Sequence, residues 1–152
     1  MHLAQLNIAK AKVSLEEPLM KDFVDNLDPV NATAEQSEGF IWRLQDESGD
    51  ATSINLFDDL LIITNMSVWA DKESLKKFMF MTHHLDFLQR KEEWFEKLSS
   101  GNQVLWWVPK GHIPSLEEGK SRLLHLQQHG ESPYAFTFRS KFTPHDLAQT
   151  IS

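Results

Sequence analysis

Three stretches of the chain, at 3–9, 40–44 and 60–69, alternate apolar and polar residues with a period of two, the pattern of a β-strand that is buried on one face, and two more, at 103–109 and 134–138, are short runs rich in apolar residues. We predict strands at residues 3–9, 40–44, 60–69, 103–109 and 134–138. In the third of these, "LLIITNMSVW", Ile62, Met66 and Val68 fall on one face, whereas Asn65 and Ser67 fall on the other. The pattern therefore predicts a sheet with one apolar side and one partly polar side.

The first helix is predicted after the first strand. Ser14 and Glu17 have the spacing of a capping box, and Pro18 suits the first turn of a helix. The apolar stripe of this helix is formed by Leu19, Phe23 and Leu27. The pattern stops or restarts at Asp28–Pro29, because the residue before a proline avoids helical dihedral angles. A short helical piece then continues through Glu38.

A longer helix is predicted after the third strand. Asp71 is its N-cap, because an aspartate side chain accepts a hydrogen bond from a free backbone N–H of the first turn. The helical pattern continues to about Leu98 and is kinked near the adjacent histidines His83 and His84. Its stripe is formed by Leu75, Phe78, Met79 and Thr82.

The last predicted helix opens with a second capping box, Ser115 with Glu118, and ends at His129–Gly130. Its buried stripe is expected at Leu116, Leu123 and Leu126 or Gln127, with Glu118, Arg122, His125 and His129 on the water side. Strands and helices in rough alternation indicate one α+β domain over residues 1–142. The tail, residues 143–152, is predicted to be loose or a terminal turn.

Composition excludes several classes of function. The chain has no cysteine, so disulfides, thiolate metal sites, iron–sulfur clusters and a cysteine nucleophile are excluded. A net charge of −7 argues against nucleic acid as a partner. Because no apolar run is long enough to span a bilayer and the first residues lack the pattern of a signal peptide, we expect a cytoplasmic protein without a membrane partner. The acidic loop at 45–59 lacks the ligand spacing of a calcium-binding EF-hand.

Several blocks of sequence resemble the family of domain of unknown function 3291 (DUF3291). These blocks are "WRLQDESGDAT", "NMSVWADKESLKKF", "EWF", "LWWVPKGHIP" and "SPYAFTF". The resemblance runs from about His2 to Phe142, and the blocks occur in the same order. The family has no assigned reaction, so the resemblance implies a fold and a wider superfamily rather than an activity.

The wider superfamily that this resemblance implies is that of the dimeric α+β barrels. Its members include cofactor-free antibiotic-biosynthesis monooxygenases, haem-degrading monooxygenases and stress-response proteins. The resemblance implies a ferredoxin-like antiparallel sheet with helices on one face, and a homodimer in which two sheets pack face to face. It also implies a small-molecule pocket between each sheet and its own helices, and no cofactor in the monooxygenase-like members.

The resemblance fits the haem degraders less well than the other members. Those proteins use an asparagine on the first strand, a helix tryptophan and a helix histidine. Asn7 occupies a plausible first-strand position, but Phe78 stands where the tryptophan is expected. The haem-ligand position falls near Leu88, whereas His83 and His84 come earlier in the helix. Haem binding is therefore the weaker implication.

The two adjacent histidines are the candidate catalytic residues. Neighbouring residues on a helix point about 100° apart, so at most one of His83 and His84 faces the interior. The inward histidine is either an ordinary residue at the edge of the core or a general base that contacts a ligand. Trp94 shares the helix face of His84 and is a candidate pocket residue. The sequence leaves both interpretations open.

The polar faces of the strands form a second candidate site. Asn7, Arg43, Asn65 and Ser67 lie on the polar sides of three strands, beside Trp69 and one member of the pair Trp106 and Trp107. If these faces coincide, they form an aromatic cleft with a few polar groups, as in many small-molecule sites. An arginine there would suit a carboxylate, a phenolate or another oxyanion. The alternative is a face that is simply solvated or that forms a dimer interface.

The remaining histidines have weaker functional signals. His112 lies in the loop "KGHIP", where it either contacts a ligand or braces the turn through hydrogen bonds, and we favour the brace. His125 and His129 have the i, i+4 spacing of a zinc-binding pair. Because no third ligand is in view, we expect no metal site there.

Two functions from different classes remain open, with haem binding as a weaker third. The first is a small-molecule enzyme with monooxygenase-like or isomerase-like turnover, in which His83 or His84 accepts a proton while Arg43 and Asn65 orient the ligand. The second is a non-catalytic module that binds or sequesters an aromatic metabolite. Catalysis predicts that substitution of a histidine abolishes turnover and leaves affinity almost unchanged.

Overall fold

The computed structural model describes residues 1–45, 61–81, 84–96 and 102–151, with side chains described for all of these except 81, 84–88 and 148–151. The described strands are β1 His2–Ala11, β2 Phe40–Arg43, β3 Ile62–Trp69, β4 Phe95–Glu96 and β5 Gln103–Val108. The described helices are α1 Lys21–Asp25, α2 Leu27–Gln36, α3 Lys72–Met81, α4 His84–Trp94, α5 Leu116–His129 and α6 Pro144–Ile151. The predicted acidic loop at 45–59 lies almost wholly outside the described residues. No described helix is long and apolar enough to cross a membrane.

The strands form one antiparallel sheet with β1 at its centre. β3 pairs with one side of β1 and carries β2 on its outer edge, so the order is β2–β3–β1. β5 pairs with the other side of β1, and the short β4 continues that edge past the end of β5. The order β2–β3–β1–β5, with every pair antiparallel, is that of the ferredoxin-like fold. The predicted α+β class with a ferredoxin-like sheet is confirmed.

The ends of several elements differ from the prediction. The first predicted capping box is wrong. The chain makes a 3-10 turn at Pro18–Met20 before α1, and Glu17, at the N-cap position of this turn, makes no side-chain cap hydrogen bond. The predicted stop and restart does occur, slightly earlier in the chain: α1 ends at Asp25 and α2 begins at Leu27, so that Pro29 lies in the first turn of α2, where its missing N–H would have no helical partner. The long helix ends at Trp94 rather than Leu98, because β1 takes up the next two residues as β4.

The C-terminal part of the chain also differs. The predicted strand at 134–138 is reduced to isolated bridges, in which Phe136 pairs with Leu105 of β5 and Ala135 pairs with Ser132. The tail that was expected to be loose forms α6, and its Leu147 is 7% exposed within the core. Two caps are confirmed as predicted: the backbone N–H of Ser74 donates to Asp71 over 2.7 Å, and that of Glu118 donates to Ser115 over 3.1 Å.

The two sides of the sheet are covered by different helices. We call the side that carries Leu3, Gln5 and Asn7 the helix-layer face, and the side that carries Ala4 and Leu6 the α5 face. One apolar cluster on the helix-layer face packs Leu3 and Trp69 against α2, α3 and α6, and a second packs Ala11 and Ile63 against α1 and Trp94. On the α5 face, Leu123 and Leu126 of α5 pack against β1, β3 and β5. Helices therefore cover both faces, and α5 departs from the expected one-sided arrangement.

A bulge in β2 changes the faces predicted for that strand. Simple alternation puts Phe40 and Trp42 on one face, but the register shifts between them. Phe40 pairs with Trp69 and packs on the helix-layer face, whereas Trp42 pairs with Val68 and packs on the α5 face. Because of this extra residue, Arg43 shares the helix-layer face with Phe40.

The close approach of α5 bears on the expected face-to-face dimer. A Cβ atom at Gly119 of α5 would lie 3.1 Å from Met66 Sδ and 3.3 Å from Leu6 Cδ1, so the helix backbone sits directly on the sheet. Leu6, Val68 and Val104 are 0% exposed within the single chain. This face is thus already filled, and a partner sheet could reach it only if α5 moved away. The homodimer itself stays a prediction.

Candidate functional site

Polar side chains cross the middle of the sheet on the helix-layer face. The register places Asn7 between Asn65 on β3 and Gln103 on β5, and places Gln5 beside Ser67 in the next row. Side chains in directly paired positions of an antiparallel sheet are close neighbours. We call Gln5, Asn7, Asn65, Ser67 and Gln103 the polar band. It separates the two apolar clusters of the helix-layer face.

A chain of hydrogen bonds joins four side chains in and beside this band. The indole Nε1–H of Trp69 donates to Ser67 Oγ over 2.9 Å. The amide Nε2 of Gln5 donates to the same oxygen over 2.8 Å and to Asn65 Oδ1 over 2.6 Å. Gln5 and Ser67 are only 4% and 6% exposed, and buried polar groups are stable only when they are paired in this way.

The band opens to solvent at Asn65. This residue lies at the middle of β3, between buried Thr64 and Met66, yet its side chain is exposed. Asn7 and Gln103, in the same row, are half-buried. A residue at the centre of a strand is exposed only where the layer above it is incomplete, so the helices that the structure describes leave an opening above Asn65.

Aromatic residues border the band at both ends. Trp69 stacks on Phe78 of α3 with ring centroids 5.2 Å apart and meets Phe40 edge-to-face at 5.5 Å. At the other end, Trp94 packs against Phe23 at 5.5 Å. A polar floor between aromatic walls is typical of sites that bind small organic molecules.

Arg43 lies in the row of Ser67, as the bulge in β2 requires. Its Nε donates to Glu35 of α2 over 2.8 Å, and its side chain is 12% exposed while that of Glu35 is 47% exposed. The pair places one positive and one negative charge at the edge of the polar band. Glu35 therefore already holds the arginine that was expected to orient the ligand.

Trp107 and Trp106 lie on opposite faces, as predicted. Trp107 is on the helix-layer face in the row of Trp69, and its indole donates to the carbonyl oxygen of Phe142 over 3.2 Å. Trp106 is on the α5 face, where its indole donates to Glu118 Oε2 over 2.8 Å. The structure therefore brings one member of the pair toward the candidate site and holds the other on the far side of the sheet.

His112 lies far from the polar band. Its Nε2 is 2.7 Å from Glu118 Oε1, and Glu118 also accepts the hydrogen bond of Trp106. The carboxylate thus joins the loop before α5 to the sheet. The brace interpretation expects a hydrogen bond of this kind, and His112 and Trp106 share this carboxylate on the side of the sheet opposite the polar band.

The two candidate catalytic histidines are not placed by the structure. His83 lies outside the described residues, and His84 begins α4 without a described side chain. Helix α3 does reach the polar band, since Gln103 Nε2 lies 3.9 Å from the sulfur of Met79. The histidine pair follows Met79 by one helical turn along the sequence.

A depression lies on the outer surface of α5, away from the polar band. Ser121, Leu124, His125, Gln128, His129 and Tyr134 line it, and its volume is about 390 Å³. The rings of His125 and His129 are 4.8 Å apart, and the guanidinium of Arg122 stacks on Tyr134 at 3.7 Å. Burial lowers the pKa of Arg122, which the sequence had placed on the water side.

Within the part of the chain that the structure describes, no three His, Asp or Glu residues are grouped as metal ligands.

Sequence reasoning did not single out Gln5 and Gln103 as site residues. Alternation already placed Gln5 on the same face as Asn7, so the direction of its side chain was predictable from the sequence. Its partners were not predictable, because they depend on strand register: Ser67 and Asn65 are separated from Gln5 by 62 and 60 residues. No local pattern carries that pairing.

Comparison with known proteins identifies a family and several similar folds. A family model described as "Domain of unknown function (DUF3291)" matches residues 2–151. No curated protein matches the chain. SnoaB, a cofactor-independent oxygenase from Streptomyces nogalater, is 12% identical with a TM-score of 0.47, and the match covers 75% of this chain and 98% of SnoaB. A protein of unknown function from Nitrosomonas europaea is 13% identical with a TM-score of 0.48, covering 75% of this chain and 95% of that one. No activity is transferred from them.

Proposed function

The chain belongs to the DUF3291 family, a domain of unknown function, as its sequence blocks predicted, and we propose that it binds a small organic ligand above the polar band. The observation that carries this proposal is the exposure of Asn65 at the centre of the sheet, directly beside the buried amide of Gln5. A solvated outer face would not require a buried hydrogen-bond network beneath an opening in a helix layer. A ligand-binding floor does require groups that are held in place in advance.

Each candidate residue has a role in this proposal. Asn65 and Ser67 supply polar contacts at the floor, and Asn7 extends the row toward β5. Trp69 and Trp107 supply an apolar wall at one end, and Trp94 supplies the wall at the other. Arg43, held by Glu35, adds a positive charge at the edge that suits a carboxylate or phenolate group.

Turnover, rather than binding alone, requires a proton acceptor beside the ligand. We infer that His83 or His84 serves in this role, because α3 contacts the polar band through Met79, four residues before His83 in the sequence. A cofactor-free oxygenation or isomerisation needs little more than a shaped pocket, a base and donors for the oxyanion that forms. The polar band supplies such donors without a metal ligand set.

Binding is tested with a library of small aromatic acids, phenols, ketones and amines, screened by ligand-observed NMR. Asn65→Leu keeps the size of the side chain and removes its hydrogen bonds. Because a hydrogen bond contributes about 0.5–3 kcal/mol, we expect affinity for the hits to fall by up to about a hundredfold. The matched control is Gln128→Leu, the same loss of an amide in the depression on α5. Loss of binding in Gln128→Leu but not in Asn65→Leu would place the ligand on α5 and refute the proposal.

Catalysis is separated from binding with the two histidines. For a ligand identified in this way, His83→Ala or His84→Ala should abolish consumption of the ligand under air while its dissociation constant changes little. Product formation is followed by mass spectrometry. If the parent chain binds the ligand but does not convert it, the protein is a non-catalytic binding module.

A further inference from the structure

Gln5 determines which hydrogen-bonding groups remain free in the polar band. A tryptophan indole is a donor only, so Ser67 Oγ must accept from Trp69. Gln5 Nε2 donates to the same oxygen, which fills both of its lone pairs. Ser67 can therefore interact with a further group only by donating its hydroxyl hydrogen.

The other hydrogen of the same amide acts on Asn65. Gln5 Nε2 donates to Asn65 Oδ1 over 2.6 Å, which turns the oxygen of that side chain inward. The Nδ2 group of Asn65, with its two hydrogens, then remains on the exposed side. Both groups that Gln5 contacts thus have hydrogens left to donate, and the hydroxyl oxygen of Ser67 has no lone pair left to accept with.

We propose that Gln5 is the specificity-determining residue of the polar band, because its two inward hydrogen bonds make Ser67 and Asn65 donors to a ligand oxygen. The inference rests on the proposed ligand site and names its chemistry: a ketone, carboxylate, phenolate or enolate oxygen is favoured over an amine or another donor. Gln5 does not need to contact the ligand, since it is 4% exposed and acts through its neighbours.

The substitution Gln5→Glu tests this role directly. A carboxylate has no hydrogen to donate, so the Ser67 hydroxyl and the Asn65 amide would both turn to donate to it. Asn65 would then present its oxygen outward, and the preference of the site would reverse. Gln5→Met, which is similar in size and makes neither bond, should remove the preference without reversing it.

The first readout needs no ligand. In ¹H–¹⁵N spectra, one side-chain Nδ2 proton of Asn65 should shift downfield in Gln5→Glu, because it becomes a donor to a charged oxygen. Gln128→Glu makes the same change on α5, on the other side of the sheet, and controls for the added charge. If the Asn65 signals of Gln5→Glu and the parent chain coincide, Gln5 does not set the orientation and the inference is refuted.

The second readout compares two neutral probes of similar size, acetophenone as an acceptor and aniline as a donor. We expect the parent chain to bind acetophenone at least tenfold more tightly and Gln5→Glu to reverse the order. Equal preferences in the two proteins would refute the specificity role while leaving the ligand site intact. Failure of the parent chain to bind any acceptor probe, with the Asn65 shift present, would instead refute the proposed site.

Discussion

At the scale of single residues, the polar band depends on groups that have no charge. Ser67 accepts two N–H donors within a face that is otherwise packed with aromatic and aliphatic side chains. Leaving either donor unpaired would cost about 1–3 kcal/mol, so the network holds its own geometry. A neutral network of this kind also keeps its hydrogen-bonding pattern over a wide pH range, unlike one built on histidine.

Glu131 is the residue at which we expect a local dependence of stability on pH. Burial raises the pKa of its carboxyl, but hydrogen bonds from Ser140 and Thr137 outweigh this effect, so the pKa lies below its ordinary value of 4.5. The folded state therefore binds this proton less well than the unfolded chain. The stabilisation is present above the ordinary pKa and is lost as the pH falls through the lowered value.

The prediction is checked with Glu131→Gln in urea unfolding between neutral and strongly acidic pH. The variant should lose less free energy of unfolding than the parent chain as the pH falls from about 5 toward 3, because its amide does not titrate. Glu38→Gln, a change in an exposed turn residue, is the control. Identical acid profiles for parent and Glu131→Gln would contradict the assignment.

At the scale of elements, two short contacts position the strands and helices around the site. Gly39 ends the turn before β2 with φ of 83° and a carbonyl oxygen that accepts from Ala70 N–H over 2.7 Å. A Cβ atom at Gly39 would lie 2.1 Å from Ser74 Oγ on α3. The turn therefore sets both the start of β2 and the approach of α3, which carries Phe78 against Trp69.

Gly39→Ala should destabilise the protein by more than backbone strain alone. Gly111 has a similar φ of 86° with no atom within 4 Å of a built Cβ, so Gly111→Ala measures the strain by itself, about 1–2 kcal/mol. The contact with Ser74 should add about 1–3 kcal/mol in Gly39→Ala. Urea unfolding compares the two variants, and Ser74→Gly combined with Gly39→Ala should recover part of the loss. If Gly39→Ala and Gly111→Ala lost the same free energy of unfolding, the contact with Ser74 would contribute nothing, which would contradict the prediction.

Considering the whole molecule, the sheet has helices on both sides, and these cover its two faces to different extents. The centre of the α5 face, at Leu6, Val68 and Val104, is fully buried within the chain, whereas the helix-layer face is interrupted at Asn65. A protein of this size can bury a core on both sides of a five-stranded sheet. The opening at Asn65, rather than the α5 face of the sheet, is therefore where we propose that a ligand binds.

The position of α5 leads to a prediction about assembly. If two copies associate, giving a mass near twice 17.6 kDa by native mass spectrometry, the interface should lie outside the α5 face. Val104→Asp should then unfold the chain, because it places a charge in a site that is 0% exposed in the single chain. Ile41→Asp, on an exposed position of β2, should leave the fold intact. A folded, monomeric Val104→Asp variant would indicate that α5 is displaced and that two sheets pair after all.

Features that depend on residues close together in the chain were predictable without the fold. Period-two alternation defined β1 and β3 and the faces of Asn65, Ser67 and Trp69, because the side chains of a strand point alternately to its two sides. The Asp71 cap and the Ser115 cap were equally local, since each joins residues three apart. Those features were predictable from the chain.

The way in which these faces combine became visible in the folded chain alone. It placed α5 against the apolar side of the sheet, moved Trp42 to that side through a bulge in β2, and joined Gln5 to Ser67 across 62 residues of sequence. Each of these outcomes depends on strand register and on competition between helices for the same buried surface. Such choices are made by packing between distant segments, and a local pattern of apolar and polar residues is compatible with more than one of them.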